Sequence, residues 1–300
     1  MKTILAKTSI TLLILFSASC SSDDSSSSIT TPNSSNNTTA ESNNNDSEEN
    51  NSNENEQTSG ESETTNDSVG QTPSAAFDEF SDNVTVTFNN DNTISIETDG
   101  TPNHKSPYWD SAHSLYIDPV IATENRMSPG TISEGSYSLT VPNFPEIAAT
   151  STSTGLGAIG IATSGVPIFN DEEGPNVALS ATVASGFDFA GGHMGPSGYH
   201  YHLESHDVSV NTTLSHDDED LVGIMEDGFL LYGRRCNSIN DGDNYGYPTD
   251  LDSSGGHTHK TQHCSEDDDS IYHYHIVNEI YTGNYYVLFG GDLQGTPQGI

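Results

Sequence analysis

Hydrophobic and polar residues alternate at period two in short stretches along much of the chain. Residues 84–88 (Val-Thr-Val-Thr-Phe) and 94–97 (Ile-Ser-Ile-Glu) flank the turn-forming run Asn89-Asn90-Asp91-Asn92, which predicts a hairpin. Residues 137–141 predict another strand, stopped by Pro142. Residues 158–161, 166–169, 178–183, 221–225 and 229–232 read as further short strands, with 285–289 as the last. Gly, Pro, Asn and Asp punctuate the gaps, and no run carries a convincing 3.6-residue period. The expected fold is mostly β, a sandwich or barrel.

One order of elements occurs twice. Gly160-Ile161 and Gly165-Val166-Pro167-Ile168-Phe169 match Gly223-Ile224 and Gly228-Phe229-Leu230-Leu231-Tyr232. In the first half Asp188, Gly191-Gly192-His193 and Tyr199-His200-Tyr201-His202 follow; in the second, Asp252, Gly255-Gly256-His257 and Tyr272-His273-Tyr274-His275. The second half carries an insertion over about residues 258–270. The repeats, about 158–206 and 221–279, predict two related halves facing each other about a pseudo-two-fold axis. The period is too long and the copies too few for a solenoid.

The tetrads carry the chemistry. Residues two apart on a strand share a face, so both histidines of a tetrad look one way and both tyrosines the other. His193 and His257 sit on Gly-rich turns short enough to fold back onto them. Two trios of imidazoles result, His193, His200, His202 and His257, His273, His275, which suit zinc or copper. Asp188 and Asp252 are candidate fourth ligands, or acceptors that orient a histidine. All six histidines gathering at one centre between the halves is an equal expectation. His259, His263 and His104 are further candidates for the site. His206, His216 and the acidic runs at 217–220, 240–244 and 266–269 read as solvated loops.

The two ends of the chain differ in character. Met1-Lys2, Lys7, an apolar run over 10–16 and the small residues Ser17-Ala18-Ser19 describe a signal peptide over 1–19. Cys20 behind them resembles the lipobox cysteine of bacterial lipoproteins, with Ser17 in place of the usual Leu. Lipidation of Cys20 and a location at the outer membrane or cell surface are the expectation. Residues 20–75 are Ser, Asn, Thr, Glu and Asp with almost no large apolar side chains. Such a segment buries too little to offset its ordering entropy and reads as a disordered tether reaching on the order of 40 Å. The folded domain is expected over 76–300. The net charge of -37 disfavours nucleic acid as a partner and favours cations. With Cys20 lipidated, Cys236 and Cys264 are the remaining pair, a disulfide in an exported protein unless Cys264 ligates a metal.

The tetrads, the Gly-Gly-His elements, residues 160–169 and residues 224–232 (Ile-Met-Glu-Asp-Gly-Phe-Leu-Leu-Tyr) together resemble the YHYH protein family over roughly residues 84–297. The resemblance implies an exported, often lipid-anchored, β-rich domain, and no mechanism. Ala190-Gly191 stands where the family often has a Cys. Three functions fit the residues. The first is a surface lipoprotein binding zinc or copper through the two trios. The second is a metal-dependent hydrolase or lyase, with Asp188, Asp252 or Glu226 as base on a substrate that the sequence does not name. The third is a binding or adhesion module stapled by its histidines.

Overall fold

Three alternating segments, β1 (Val84–Phe88), β2 (Thr93–Thr98) and β3 (Tyr137–Pro142), form one antiparallel sheet in the order β1-β2-β3. Their inward residues Ile94, Ile96, Leu139 and Val141 are fully buried. The structure, a computed structural model, describes residues 70–119, 128–205, 217–236, 246–264 and 270–300. Residues 1–69, with Cys20, the expected signal peptide and most of the expected tether, lie outside the described residues. So do His206, His216 and the runs at 240–244 and 266–269.

A larger sheet carries the repeated elements. After β4 (Thr152–Ser153) come β5 (Gly160–Ala162), β6 (Pro167–Ile168), β7 (Glu172–Gly174), β8 (Val177–Ala178), helix α1 (Ala181–Ala184), β9 (Gly192–Gly195) and β10 (Gly198–Tyr201). Then follow β11 (Leu221–Met225), β12 (Leu230–Tyr232), β13 (Gly256–His259), β14 (Ile271–His275) and β15 (Asp292–Leu293). Eight of these form one sheet in the order β13-β14-β12-β11-β5-β6-β10-β9. The central pair β5 and β11 is antiparallel, with Ile161 opposite Ile224. The β6–β10 and β12–β14 pairs are parallel. Both tetrads therefore lie one strand in from an end of the sheet. The expected mostly β fold is observed, in several antiparallel and mixed sheets.

The small sheet covers the middle of the large one. Ile94, Ile96, Leu139 and Val141 pack with Ile161, Leu221, Ile224, Leu230 and Tyr232. The opposite face of the large sheet buries Val222, Leu231, Ile168 and the tetrad tyrosines Tyr199, Tyr201 and Tyr274. An irregularity between Leu221 and Gly223 puts Leu221 and Ile224 on one face and Val222 on the other.

Two expected strands are corrected. Residues 178–183 are only briefly extended, because the Ser180 side chain accepts the Val183 N–H and caps α1. Residues 285–289 form isolated bridges rather than a strand: Val287 bridges Leu203, Glu204 N–H donates to the Tyr286 carbonyl, and Leu288 N–H to that of His202. That segment braces the end of the first tetrad without a continuous ladder.

Gly223, at the sheet centre, has no room for a side chain. A Cβ there would stand 2.3 Å from the Ile161 carbonyl oxygen, which is backbone and cannot turn aside. Gly223→Ala is expected to cost about 3 kcal/mol and to lower the thermal midpoint by roughly 9 °C. Gly174→Ala, where a Cβ meets nothing within 4 Å, should leave it unchanged.

Candidate metal centres

Each Gly-Gly-His turn is built by an aspartate. The Asp188 carboxylate accepts the N–H groups of Ala190 and Gly192 and the hydroxyl of Tyr199 at 2.6 Å. Asp252 does the same with Ser254, Gly256 and the Tyr272 hydroxyl at 2.7 Å. Gly191 and Gly255 hold φ at +79° and +81°, where a side chain is strained. Gly192 and Gly256 let the tyrosine hydroxyl pass; a Cβ would stand 2.6 and 1.9 Å from it. Asp188 and Asp252 are thus neither ligands nor histidine orienters, correcting that expectation. Their oxygens point to the tyrosine face and are spent on the turn.

The hairpin that follows sets the histidines against one another. His193 pairs with His200 across β9 and β10, and His257 with His273 across β13 and β14. His202 and His275 lie two residues further along the same face. All six are at least 95 % buried. The tyrosines turn to the other face as expected, with Tyr201 bonded to His104 Nε2 at 2.7 Å and Tyr274 to Asp227 at 2.6 Å. His104 therefore belongs to the tyrosine face. The two trios are separate centres, because β10 and β14 lie five strand positions apart, about 24 Å across a sheet.

In the second trio the nitrogen geometry is closed. The Nε2 atoms of His257, His273 and His275 stand 3.0–3.1 Å from one another. Each Nδ1 faces an acceptor: Asp250 Oδ1 for His257, the Ile271 carbonyl for His273 and the Gly233 carbonyl for His275. An acceptor at Nδ1 fixes the proton there, so three Nε2 lone pairs face one point with no proton among them. Burial lowers the pKa of all three, His275 to about 4 and His273 well below its ordinary value, so protonation does not relieve the crowding. Three nitrogens about 2.0 Å from a tetrahedral ion lie about 3.3 Å apart, close to what is seen. Cys236 completes the set, its sulfur within 4.8 Å of the three donor nitrogens.

The first trio is similar. His200 and His202 hold Nε2 atoms 3.0 Å apart, and their Nδ1 atoms face the carbonyls of Gly198 and Asn170. His193 Nδ1 meets the Ser128 hydroxyl at 3.0 Å. Its Nε2 lacks a hydrogen-bond partner, as does the buried Glu173 Oε1 that stands 3.4 Å away. That oxygen is also 3.9 Å from His202 Nε2. Phe169 and Phe187 stack on His200 and His193 with ring centres 3.9 and 4.2 Å away. Burial pushes His193 down to about 2, His200 to about 3 and His202 to about 4, and raises Glu173. A divalent cation suits this set: the Nε2 atoms of His200 and His202, a ring nitrogen of His193 and an orphaned carboxylate oxygen.

Glu173 and Cys236 were not in the donor set read from sequence, yet their positions correspond. Asn170 gives its carbonyl to His202 and Gly233 gives its own to His275; the fourth donor follows three residues later in each case. The repeat aligning Phe169 with Tyr232 held that signal. Cys236 and Cys264 are not joined as the expected disulfide: Cys236 stands with the trio, while Cys264 Sγ accepts the Thr261 N–H at 3.3 Å. His263 lies between the Tyr232 hydroxyl and Glu79, and His113 stacks on Trp109. Glu226, a candidate base, takes the Gly299 N–H and joins neither trio.

A family model described as YHYH protein matches residues 138–247, bearing out the resemblance to that family over this stretch. The match takes in the first trio, Glu173 and Cys236, and ends before the second tetrad. No curated protein and no solved structure matches the chain.

The lowered histidine pKa values set a pH dependence. An unfolded histidine titrates near about 6.5. As pH falls through that value the unfolded chain binds protons that the native trios refuse, so stability falls with pH. The loss continues to about 4 for His202 and His275 and lower for His200 and His193. Chelator-treated protein should melt progressively lower from about pH 7 to pH 5, and His200→Gln should flatten that profile. Identical slopes for the two proteins would count against the neutral, buried trio.

Proposed function

We propose that this chain is an exported surface lipoprotein whose β domain holds transition-metal ions, zinc or copper, in two buried centres. His193, His200, His202 and Glu173 would hold one; His257, His273, His275 and Cys236 the other. The observation that carries this reading is the second trio: three Nε2 lone pairs aimed at one point, unprotonated and 3.0–3.1 Å apart. A bound cation turns that repulsion into coordination. The two halves are read as copies of one unit, with strands β5-β6-β10-β9 and β11-β12-β14-β13 in the same sequence outward from the sheet centre. Their fourth donors then diverged, to a hard carboxylate in one and a soft thiolate in the other.

Binding is favoured over hydrolysis. With Cys236 in place the second centre has four protein donors, as structural zinc sites do, and no vacant position for water. The cavity against Tyr232, Cys236, His273 and His275 measures about 10 Å³, about room for one water. One observation keeps the hydrolytic reading in view: a cavity of about 300 Å³, lined by Ser253, Ser254, His275, Glu279, Tyr281 and Phe289 among others, adjoins the same centre.

Metal analysis of tag-free protein, equilibrated with zinc or copper and freed of excess, should give about two equivalents. His200→Ala and His273→Ala should each lose about one of them. Less than about a tenth of an equivalent in the unaltered protein contradicts the reading. The anchor is tested separately: metabolic labelling with palmitate should mark the chain, and Cys20→Ala should abolish the label.

A further inference from the structure

His257 differs from its two partners in what holds its outer nitrogen. His273 and His275 rest Nδ1 on backbone carbonyls at 3.0 and 2.7 Å, which cannot swing away. His257 rests on a side chain, Asp250 Oδ1 at 2.9 Å, and that side chain is 51 % exposed. The other carboxylate oxygen, Oδ2, lies 3.0 Å from His259 Nε2. The His259 side chain is 35 % exposed, and its ring stacks on that of His257 with centres 4.5 Å apart. Donor atoms of Asp250, His257 and His259 fall within 4.8 Å of one another. One group of donors thus reaches solvent on one side and forms the wall of the buried centre on the other.

The geometry points to an outer cation site at Asp250 and His259 that takes a divalent transition-metal ion from solvent and passes it inward by way of His257. The inference rests on reading the His257, His273, His275 and Cys236 cluster as a metal centre. A mixed imidazole and carboxylate pair suits borderline divalent cations. Two protein donors with water completing the shell hold such an ion loosely, as transfer requires. An ion on Asp250 draws the carboxylate off His257. The released ring turns its unprotonated Nε2 outward, takes the ion on that lone pair and swings it back among His273, His275 and Cys236. No proton moves in this step, because Nδ1 keeps its hydrogen throughout. The chain's large excess of carboxylates concentrates cations at the outer site.

The test is stopped-flow mixing of metal-free full chain with cobalt(II) at less than one equivalent. Thiolate-to-cobalt charge-transfer absorbance reports arrival at Cys236, and Cys236→Ser should abolish it. His259→Ala is expected to reach the same final absorbance roughly tenfold more slowly. Asp250→Asn should slow it likewise. Equal rates for His259→Ala and the unaltered protein overturn the outer site and leave the buried centre standing. Absence of the band in the unaltered protein overturns the metal centre, and the outer site with it.

Discussion

Three unprotonated imidazole nitrogens held 3.0–3.1 Å apart without a hydrogen among them are a strained grouping. Each Nδ1 is committed to an acceptor, so no tautomer can supply a bridging proton, and burial makes a charged imidazole costly. The surrounding parts hold the rings in this grouping. The hairpin fixes the strand pairing that opposes His257 and His273, and period-two geometry adds His275. The carbonyl of Gly233, fixed at the end of β12, sets the angle of the last ring. The same constraint orders the first half, where Asn170 plays the part of Gly233.

The tyrosine face makes the hairpins rigid. Asp188 and Asp252 each tie a turn to the first tyrosine of the following tetrad, so turn and strand move as one piece. Tyr201 and Tyr274 are buried in the interior with their hydroxyls satisfied by His104 and Ser164 or by Asp227. A tetrad therefore has two distinct jobs: tyrosines lock the strand to the core, and histidines present nitrogen donors on the opposite face. Orientation of metal ligands by fixed outer hydrogen bonds is how such centres keep affinity and geometry.

Much of this was legible in the chain because the information was local. The alternation of Tyr and His gave the two faces directly, and the positive-φ glycines marked the turns. The Gly-Ile and Gly-Phe-Leu-Leu-Tyr elements foretold the central strands. What stayed hidden was long-range. Asp188 looked like a ligand five residues from His193, and only the fold shows its oxygens used by Tyr199 and the turn. Cys236 lies 21 residues before His257 (257 minus 236) and reaches it through the β12–β14 pairing, so cysteine counting paired it with Cys264 instead. Residues 178–183 show the limit of alternation as a signal: a serine cap outweighed it. Residues 285–289 are apolar enough for a strand but find only isolated bridges.

X-ray absorption at the metal edge, on zinc-loaded full chain, measures the central claim most directly. Zinc in the two buried centres should give nitrogen scatterers at about 2.0 Å with imidazole outer-shell features, and a sulfur contribution at about 2.3 Å averaged over the two centres. The sulfur signal should vanish in Cys236→Ser while the imidazole features persist. A spectrum of light oxygen scatterers alone, with neither imidazole features nor sulfur, would contradict it.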